Sequence, residues 1–352
     1  MRSRELSLAW TPTDREGDVG DWFRPHRGTT RLSNEGRFSS LDGASAWLNS
    51  SSFISTGLSG KVVVVNFCTY TCINWLRTLP YVRAWAGRYR DDGLVMIGAH
   101  TPEFSFEHDV QNVEEMLAAM RVDWPIAIDN EYAVWGAFAN HYWPALYFID
   151  AEGRIRHHRF GEGDYEESER VIQDLLREGG ADVGDDLSPV SANGPEVEAD
   201  WNDLESAETY LGYDRTQGFV SPGGMAPKER RVYASSSHLG LNQWDLAGDW
   251  TVDADRVHLN EAPGRIAFSF HARDVHLVMG PSERNSSIPF RVTIDGEPPG
   301  DAAGTDIVED GAGVLVQQRM YQLVRQRGPI VDRVFALEFS DGGAEGFAFT
   351  FG

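Results

Sequence analysis

The stretch Val62-Val63-Val64-Val65-Asn66-Phe67-Cys68-Thr69-Tyr70-Thr71-Cys72 runs into Ile73-Asn74-Trp75-Leu76-Arg77-Thr78-Leu79-Pro80. Its first half is an apolar, β-branched run, which reads as a buried strand. Its second half carries helix formers. Cys72 therefore sits where a strand hands over to a helix. A thiol placed there faces unpaired backbone N–H groups and the positive end of the helix dipole. Both favour the thiolate, which is the nucleophile. The expectation is a Cys72 pKa below the free value of about 8.5.

Working outward, the helix is expected from Asn74 to about Arg90, with Leu76, Leu79, Val82 and Trp85 on one face. Leu94-Val95-Met96-Ile97-Gly98-Ala99-His100 is a second apolar strand, so a β–α–β unit follows. A helix over Asp109 to Met120 comes next, then Ala127-Ile128 and Ala133 to Phe138. Ala145–Asp150 and Ile155–Phe160 form a hairpin around Ala151-Glu152-Gly153, and Ser168 to Arg177 is a closing helix. Ala44-Ser45-Ala46-Trp47-Leu48 reads as a short helix. This order resembles that of thioredoxin-like proteins.

The usual second thiol is missing. The motif is C-x-x-W, with Trp75 in the place of a second cysteine. Residues Thr69 to Pro80 resemble the active-site segment of the DipZ-type redoxins. So do Glu208-Thr209-Tyr210-Leu211-Gly212-Tyr213, the run Leu241 to Trp250, Phe270-His271-Ala272-Arg273-Asp274 and Tyr321 to Gln326. The resemblance covers roughly residues 55 to 352. It implies a thioredoxin-like domain followed by an all-β sandwich of the jelly-roll kind that resembles carbohydrate-binding modules. It also implies that Cys72 is the nucleophile and that Trp143-Pro144 is a cis-proline loop facing it. Asn66 stands where thioredoxins often carry a buried acid that helps the second thiol ionise. Cys68 stands where such proteins usually carry Trp. Thr69-x-x-Cys72 also resembles the peroxiredoxin core, although Val65 replaces its proline and no arginine follows Pro144 in the next strand.

The organisation expected is an N-terminal extension over 1–54, a thioredoxin-like domain over 55–178, a linker over 179–200 and a β-sandwich over 201–352. The linker carries Gly, Ala, Asp, Pro and Ser with few large apolar residues. After it, runs such as Arg265–Phe270, Val275–Met279, Phe290–Ile294 and Val334–Phe339 alternate at period two, with turns such as Asp295-Gly296 between them.

Composition bounds the function. The chain has 352 residues, 41% hydrophobic, with 11 Trp, 11 Tyr and 18 Phe, enough for two folded cores. The formal charge is −23, from 54 acidic and 31 basic residues, which argues against nucleic acid and anionic membrane surfaces as partners. The first residues lack an apolar signal core and no run approaches a membrane span, so a cytoplasmic location is expected. Two cysteines exclude a disulfide scaffold, and Cys68 and Cys72 lack enough partner ligands for a metal; no cofactor is expected.

Around Cys72 the pocket candidates are Thr69, Tyr70, Asn74, Trp75, His100, Glu103, Trp143 and Pro144. Cys68 is either a buried filler or a resolving thiol, through a disulfide that needs Cα atoms within about 7 Å. His100 and Glu103 follow the second strand at its C-terminal end, where α/β sites gather. His100 is weighed as an acid/base against a satisfied loop histidine, and Asn74 as a pocket residue against a helix cap. His141 and Tyr142 flank the proline loop. Trp244 and Trp250 either stack on sugar rings or fill the sandwich core. His157 and His158 are adjacent on one strand, so they point to opposite faces and share no metal.

Two functions follow. One is a thiol redox protein that uses Cys72 against a protein or small-molecule disulfide or peroxide, with an external thiol as reductant. The other is a non-catalytic module holding a peptide or glycan in the cleft and the sandwich. In either case the sandwich is expected to dock near the cleft above Cys72 as a structural partner.

Overall fold

Val62–Cys68 (β3) is buried along its whole length, because it is the central strand of a seven-stranded sheet. The computed structural model describes residues 32–38, 40–50 and 57–352. Most of the N-terminal extension expected over 1–54 thus lies outside the described residues. The other strands of this sheet are β1 (Gly36–Arg37), β2 (Ala46–Leu48), β4 (Leu94–His100), β5 (Ile126–Ile128), β6 (Ala145–Ile149) and β7 (Arg154–Phe160), in the order β1-β7-β6-β3-β4-β5-β2. β3 runs parallel to β4 and antiparallel to β6. Helices α1 (Ile73–Arg88), α2 (Val110–Ala119), α3 (Ala133–Ala137) and α4 (Tyr165–Glu178) complete the α/β part. This is the thioredoxin-like arrangement.

One local expectation is corrected. Residues 44–48 form no helix. Ala46–Leu48 pairs antiparallel with Ile126–Ile128 as the edge strand β2. Five residues cannot nucleate a helix without packing, whereas an open sheet edge offers a ready ladder.

Residues 179–200 run between the two sheets and are held on both sides. Ser188 donates from N and Oγ to Glu169, and Arg83 reaches Glu196 at 2.5 Å. Arg325 donates to the Gly194 carbonyl at 3.0 Å. The segment read as a linker is therefore a strap bonded to both parts of the chain.

The second sheet contains β8 (Thr209–Tyr210), β9 (Arg230–Tyr233), β10 (Trp244–Val252), β11 (Val257–Phe270), β12 (Asp274–Pro281), β13 (Ile288–Ile294), β14 (Ala312–Leu315), β15 (Arg319–Arg325), β16 (Arg333–Phe339) and β17 (Ala344–Phe351). All its named pairings are antiparallel. One layer carries β14, β13, β16, β11, β10 and β9; the other carries β15, β12, β17 and β8. The layers join where Val257 and His258 of β11 meet Gly346 and Glu345 of β17. The inward residues of both layers, among them Leu246, Trp250, Phe268, Leu277, Phe335 and Phe349, form one core. Trp244 and Trp250 are fully buried and donate to Gln217 O and Ala247 O, so neither is available to a sugar ring.

Residues 34–352 form a single unit. Inside it the sandwich packs on the α/β part through Phe347, which meets Phe104 and Phe106 with ring centroids 5.4 and 4.7 Å apart. Tyr70 Oη donates to Gln318 O at 3.3 Å, and Arg77 Nη2 donates to Phe351 O at 2.8 Å. Arg284 binds Asp109 and Asn112 at 2.6 and 2.7 Å. Among the described residues no helix is long and apolar enough to cross a membrane.

Candidate functional site

Cys72 is the N-cap of α1, with extended backbone angles. Its carbonyl accepts the first helical bond, from Leu76 N at 3.0 Å. The chain turns from strand to helix through Thr69–Cys72, and that turn carries the thiol to the C-terminal end of the sheet. Its Sγ faces the backbone N–H groups of Asn74 and Trp75 and donates to Trp143 O at 3.8 Å. The Trp143–Pro144 bond is cis. Cys72 is half-buried.

The thiol's electrostatics differ from the sequence expectation. Burial pushes the Cys72 thiol well above its ordinary value, and the charges of Glu103 and Glu208 push it further. The N–H groups of Trp75 and Asn74 pull the other way and lose. The helix N-terminus is present, as expected, but burial of the thiol outweighs it, and the sandwich brings a carboxylate of its own, Glu208.

Cys68 ends β3 fully buried, and its Sγ donates to Ala99 O at 3.6 Å. Burial, then the Glu107 charge, raises its thiol. Both cysteines are free and their thiols have different partners. Cys68 is thus a poor resolving thiol: it is out of reach of solvent and held protonated.

Trp75, in the second-cysteine position, is fully buried and donates Nε1–H to Asn66 Oδ1 at 2.8 Å. Asn74 is not a cap. It is the second residue of α1, and its N–H serves the sulfur of Cys72. Thr69 is buried beside Glu107, and Thr71 Oγ1 donates to Glu107 Oε1 at 2.7 Å. Glu107 also accepts from Glu103 N and Phe104 N, so it fastens this loop to the active turn. Tyr70 is buried and stacks on His100, with centroids 5.8 Å apart.

His100 is the last residue of β4, not a loop residue, and is fully buried. Among the described residues, neither ring nitrogen has a hydrogen-bond partner. Burial lowers its pKa to about 3, so it is neutral and unplaced to carry protons for Cys72. Glu103 is the pocket candidate with direct electrostatic influence on the thiol. Its Oε1 accepts from Tyr210 Oη at 2.5 Å and from Arg215 Nη1 at 3.1 Å. Tyr210, Arg215 and Glu208 belong to the sandwich, and sequence reasoning did not place them in the site. The stretch Glu208–Tyr213 carried a family signal without a role attached. His141 and Tyr142 are exposed, and Tyr142 packs on Phe160 with centroids 5.0 Å apart. His157 packs on Phe148, and His158 bonds Glu35 at 2.7 Å. Among the described residues no group of His, Cys, Asp and Glu could hold a metal ion.

Residues 206–352 match a family model described as a thioredoxin-like C-terminal domain. The chain is 36% identical over 257 residues to Protein DipZ of Mycobacterium bovis and to that of Mycobacterium tuberculosis, covering 72% of this chain and 36% of each relative. The chain therefore spans about a third of the length of these curated relatives. It is 28% identical over 138 residues to thiol-disulfide oxidoreductase YkuV of Bacillus subtilis, covering 39% of this chain and 93% of that protein. A solved oxidised thioredoxin-like protein aligns with a TM-score of 0.38 at 26% identity, over 41% of this chain and 96% of that one. With its Trp75 in place of the second cysteine, the chain is similar to the DipZ-type thioredoxin-like proteins over 257 of its residues.

Proposed function

We propose that the protein is a thiol–disulfide oxidoreductase that works through one nucleophile, Cys72. The observation that carries this reading is the position of the Cys72 sulfur. It is half-exposed at the start of α1, faced by two backbone N–H groups, and directed at the cis-proline loop. The likeness to a relative named as a thiol-disulfide oxidoreductase supports the same reaction class.

Cys72 loses its proton, and the thiolate attacks one sulfur of a disulfide R–S–S–R′. A Cys72–S–S–R bond forms, the S–S bond of the substrate breaks, and R′–S⁻ leaves and takes up a proton. With Trp75 where a second thiol would stand and Cys68 buried, release falls to an external thiol R″–SH. Its thiolate attacks the R sulfur, forms R–S–S–R″ and returns Cys72 to the thiol. The external thiol's sulfur is oxidised into the new disulfide, the R′ sulfur leaves reduced as R′–SH, and Cys72 ends the cycle unchanged. The strand after Pro144, Ala145–Ile149, has no arginine to polarise a peroxide, so the disulfide is the electrophile favoured over a peroxide.

The test is trapping. The protein is incubated with a small disulfide, quenched with acid and read by mass spectrometry. A mixed disulfide on Cys72 that disappears on adding glutathione, and that Cys72→Ser abolishes, is the expected result. A Cys72 that stays free in the folded protein leaves the binding-module reading in its place.

A further inference from the structure

The charged groups that the sandwich brings beside Cys72 have a consequence for substrate choice, which rests on the thiol reading above. We propose that the sandwich completes the Cys72 site as a charge filter, in which Glu208 and Glu103, held by Tyr210 and Arg215, favour disulfides flanked by positive charge.

The geometry is a cluster that crosses between the two sheets. Tyr210 Oη lies 2.5 Å from Glu103 Oε1 and 3.0 Å from Glu208 Oε2. A phenol has one proton to donate, so it serves one carboxylate at a time. Arg215 binds Glu103 Oε1 at 3.1 Å, and its guanidinium lies over the Tyr210 ring, 3.4 Å from the centroid. Arg215 therefore offsets Glu103 and leaves the Glu208 charge the less balanced of the two. Glu208 is exposed, so an arriving substrate can meet it. Both carboxylates act on the Cys72 sulfur, in the direction that opposes negative charge there.

During exchange, negative charge builds on three sulfurs in line. Carboxylates beside that line penalise it, and a cation carried by the substrate offsets the penalty. An anionic disulfide adds further negative charge to that of the two carboxylates and the sulfurs. One such charge contact at the rim of a protein site is worth on the order of tenfold in rate.

The experiment compares three small disulfides on the intact chain at pH 8 and low salt: cystamine, hydroxyethyl disulfide and dithiodipropionate, which are cationic, neutral and anionic. The readout is the rate of mixed-disulfide formation on Cys72 by mass spectrometry. All three meet the same thiolate fraction, and each rate is divided by the rate of the same disulfide with a small neutral thiol, which removes leaving-group differences, so the normalised ratios report charge selection. Cystamine is expected to react fastest and dithiodipropionate slowest, with about tenfold or more between them. Molar salt should shrink the ratio, Glu208→Gln should shrink it about threefold, and Arg215→Gln should widen it. The same ordering between a Lys-flanked and a Glu-flanked peptide disulfide assigns the substrate as a polypeptide. Ordering among the small disulfides alone assigns a small cationic disulfide. Equal rates for the three, or a ratio that Glu208→Gln and Arg215→Gln both leave unchanged, overturns the inference while the thiol reading stands. If none of the three modifies Cys72, both fall.

Discussion

The Trp75 indole donates its N–H to Asn66 Oδ1 at 2.8 Å, and both side chains are fully buried. These two positions are the ones where thioredoxin-like enzymes resemble each other in carrying a second thiol and a buried acid. Here they hold a mutually satisfied neutral pair. The remaining bonds of the Asn66 amide are long, 3.4 and 3.5 Å, so the indole is its principal partner. The indole and the amide satisfy each other where that thiol and acid would stand. An ionised carboxylate at residue 66 would make a buried charge, and an isolated Asn would leave a buried amide unpaired.

Replacing Trp75 tests this pairing. Trp75→Phe should destabilise the protein by about 1–3 kcal/mol, the usual cost of orphaning a buried polar group. Adding Asn66→Leu to it should recover part of the loss, because no polar group is then stranded. Chemical denaturation of the two variants and the parent measures both steps. An additive double variant would show that the pair is not coupled.

Insulin reduction driven by dithiothreitol should be slow. The mixed disulfide on Cys72 has no thiol at residue 75 to release it, so each turnover waits for the external dithiol. Turnover at the pace of an ordinary dithiol thioredoxin would contradict the single-nucleophile mechanism.

Alkylation of Cys72 should climb with pH without levelling off below about pH 9. Burial, Glu103 and Glu208 hold the thiol protonated past its ordinary value, and the rate follows the thiolate fraction. The same sign governs stability. The fold favours the protonated thiols of Cys72 and Cys68, so their contribution is complete below the unfolded thiol pKa of about 8.5 and is lost as pH rises beyond it. Iodoacetamide labelling against pH, read residue by residue, separates the two: Cys68, fully buried, should lag Cys72 at every pH.

The bond between Tyr210 and Glu103 joins the sandwich to the α/β part next to the thiol. A double-mutant cycle of Tyr210→Phe and Glu103→Gln should return a coupling of about 1–2 kcal/mol in unfolding free energy, as expected for a hydroxyl donating to a charged group. Glu103→Gln alone should also lower the Cys72 pKa, since it removes one of the charges that raise it. A coupling near zero would mean that the sandwich is not anchored through this contact.

Acid should weaken the fold in part through two histidines. Burial lowers His100 and His276 to about 3 each. A folded pKa below the unfolded value of about 6.5 means the unfolded chain binds protons first. The stability from each neutral imidazole is present above about pH 6.5 and drains as pH falls from there towards 3. By pH 4.5 the loss is on the order of 2–3 kcal/mol per histidine. His100→Leu should flatten the acid limb of the stability curve while costing little at neutral pH, because neither ring nitrogen has a bond to lose.

The strand Val62–Cys68, the helix after it and the hairpin at Ala151-Glu152-Gly153 were legible in the chain because buried strands and amphipathic helices write their period into adjacent residues. The cis bond at Trp143-Pro144 came from the family resemblance. The short segment 44–48 was not legible: five residues hold no period, and pairing with Ile126–Ile128 decided their state.

By itself, the sequence determined that a lone nucleophile candidate stands at a strand-to-helix turn, that its usual partner is a tryptophan, and that an alternating all-β tail follows. All of these depend on neighbours along the chain. The tertiary structure decided how that thiol behaves. Glu208, Tyr210 and Arg215 lie more than a hundred residues beyond Cys72, and nothing local predicts that they meet Glu103 beside it. Burial and charge are sums over everything folded around a group. The sign of a thiol's pKa shift is therefore set by the packed molecule, and here burial and the charges of Glu103 and Glu208 outweigh the helix end that the sequence displays.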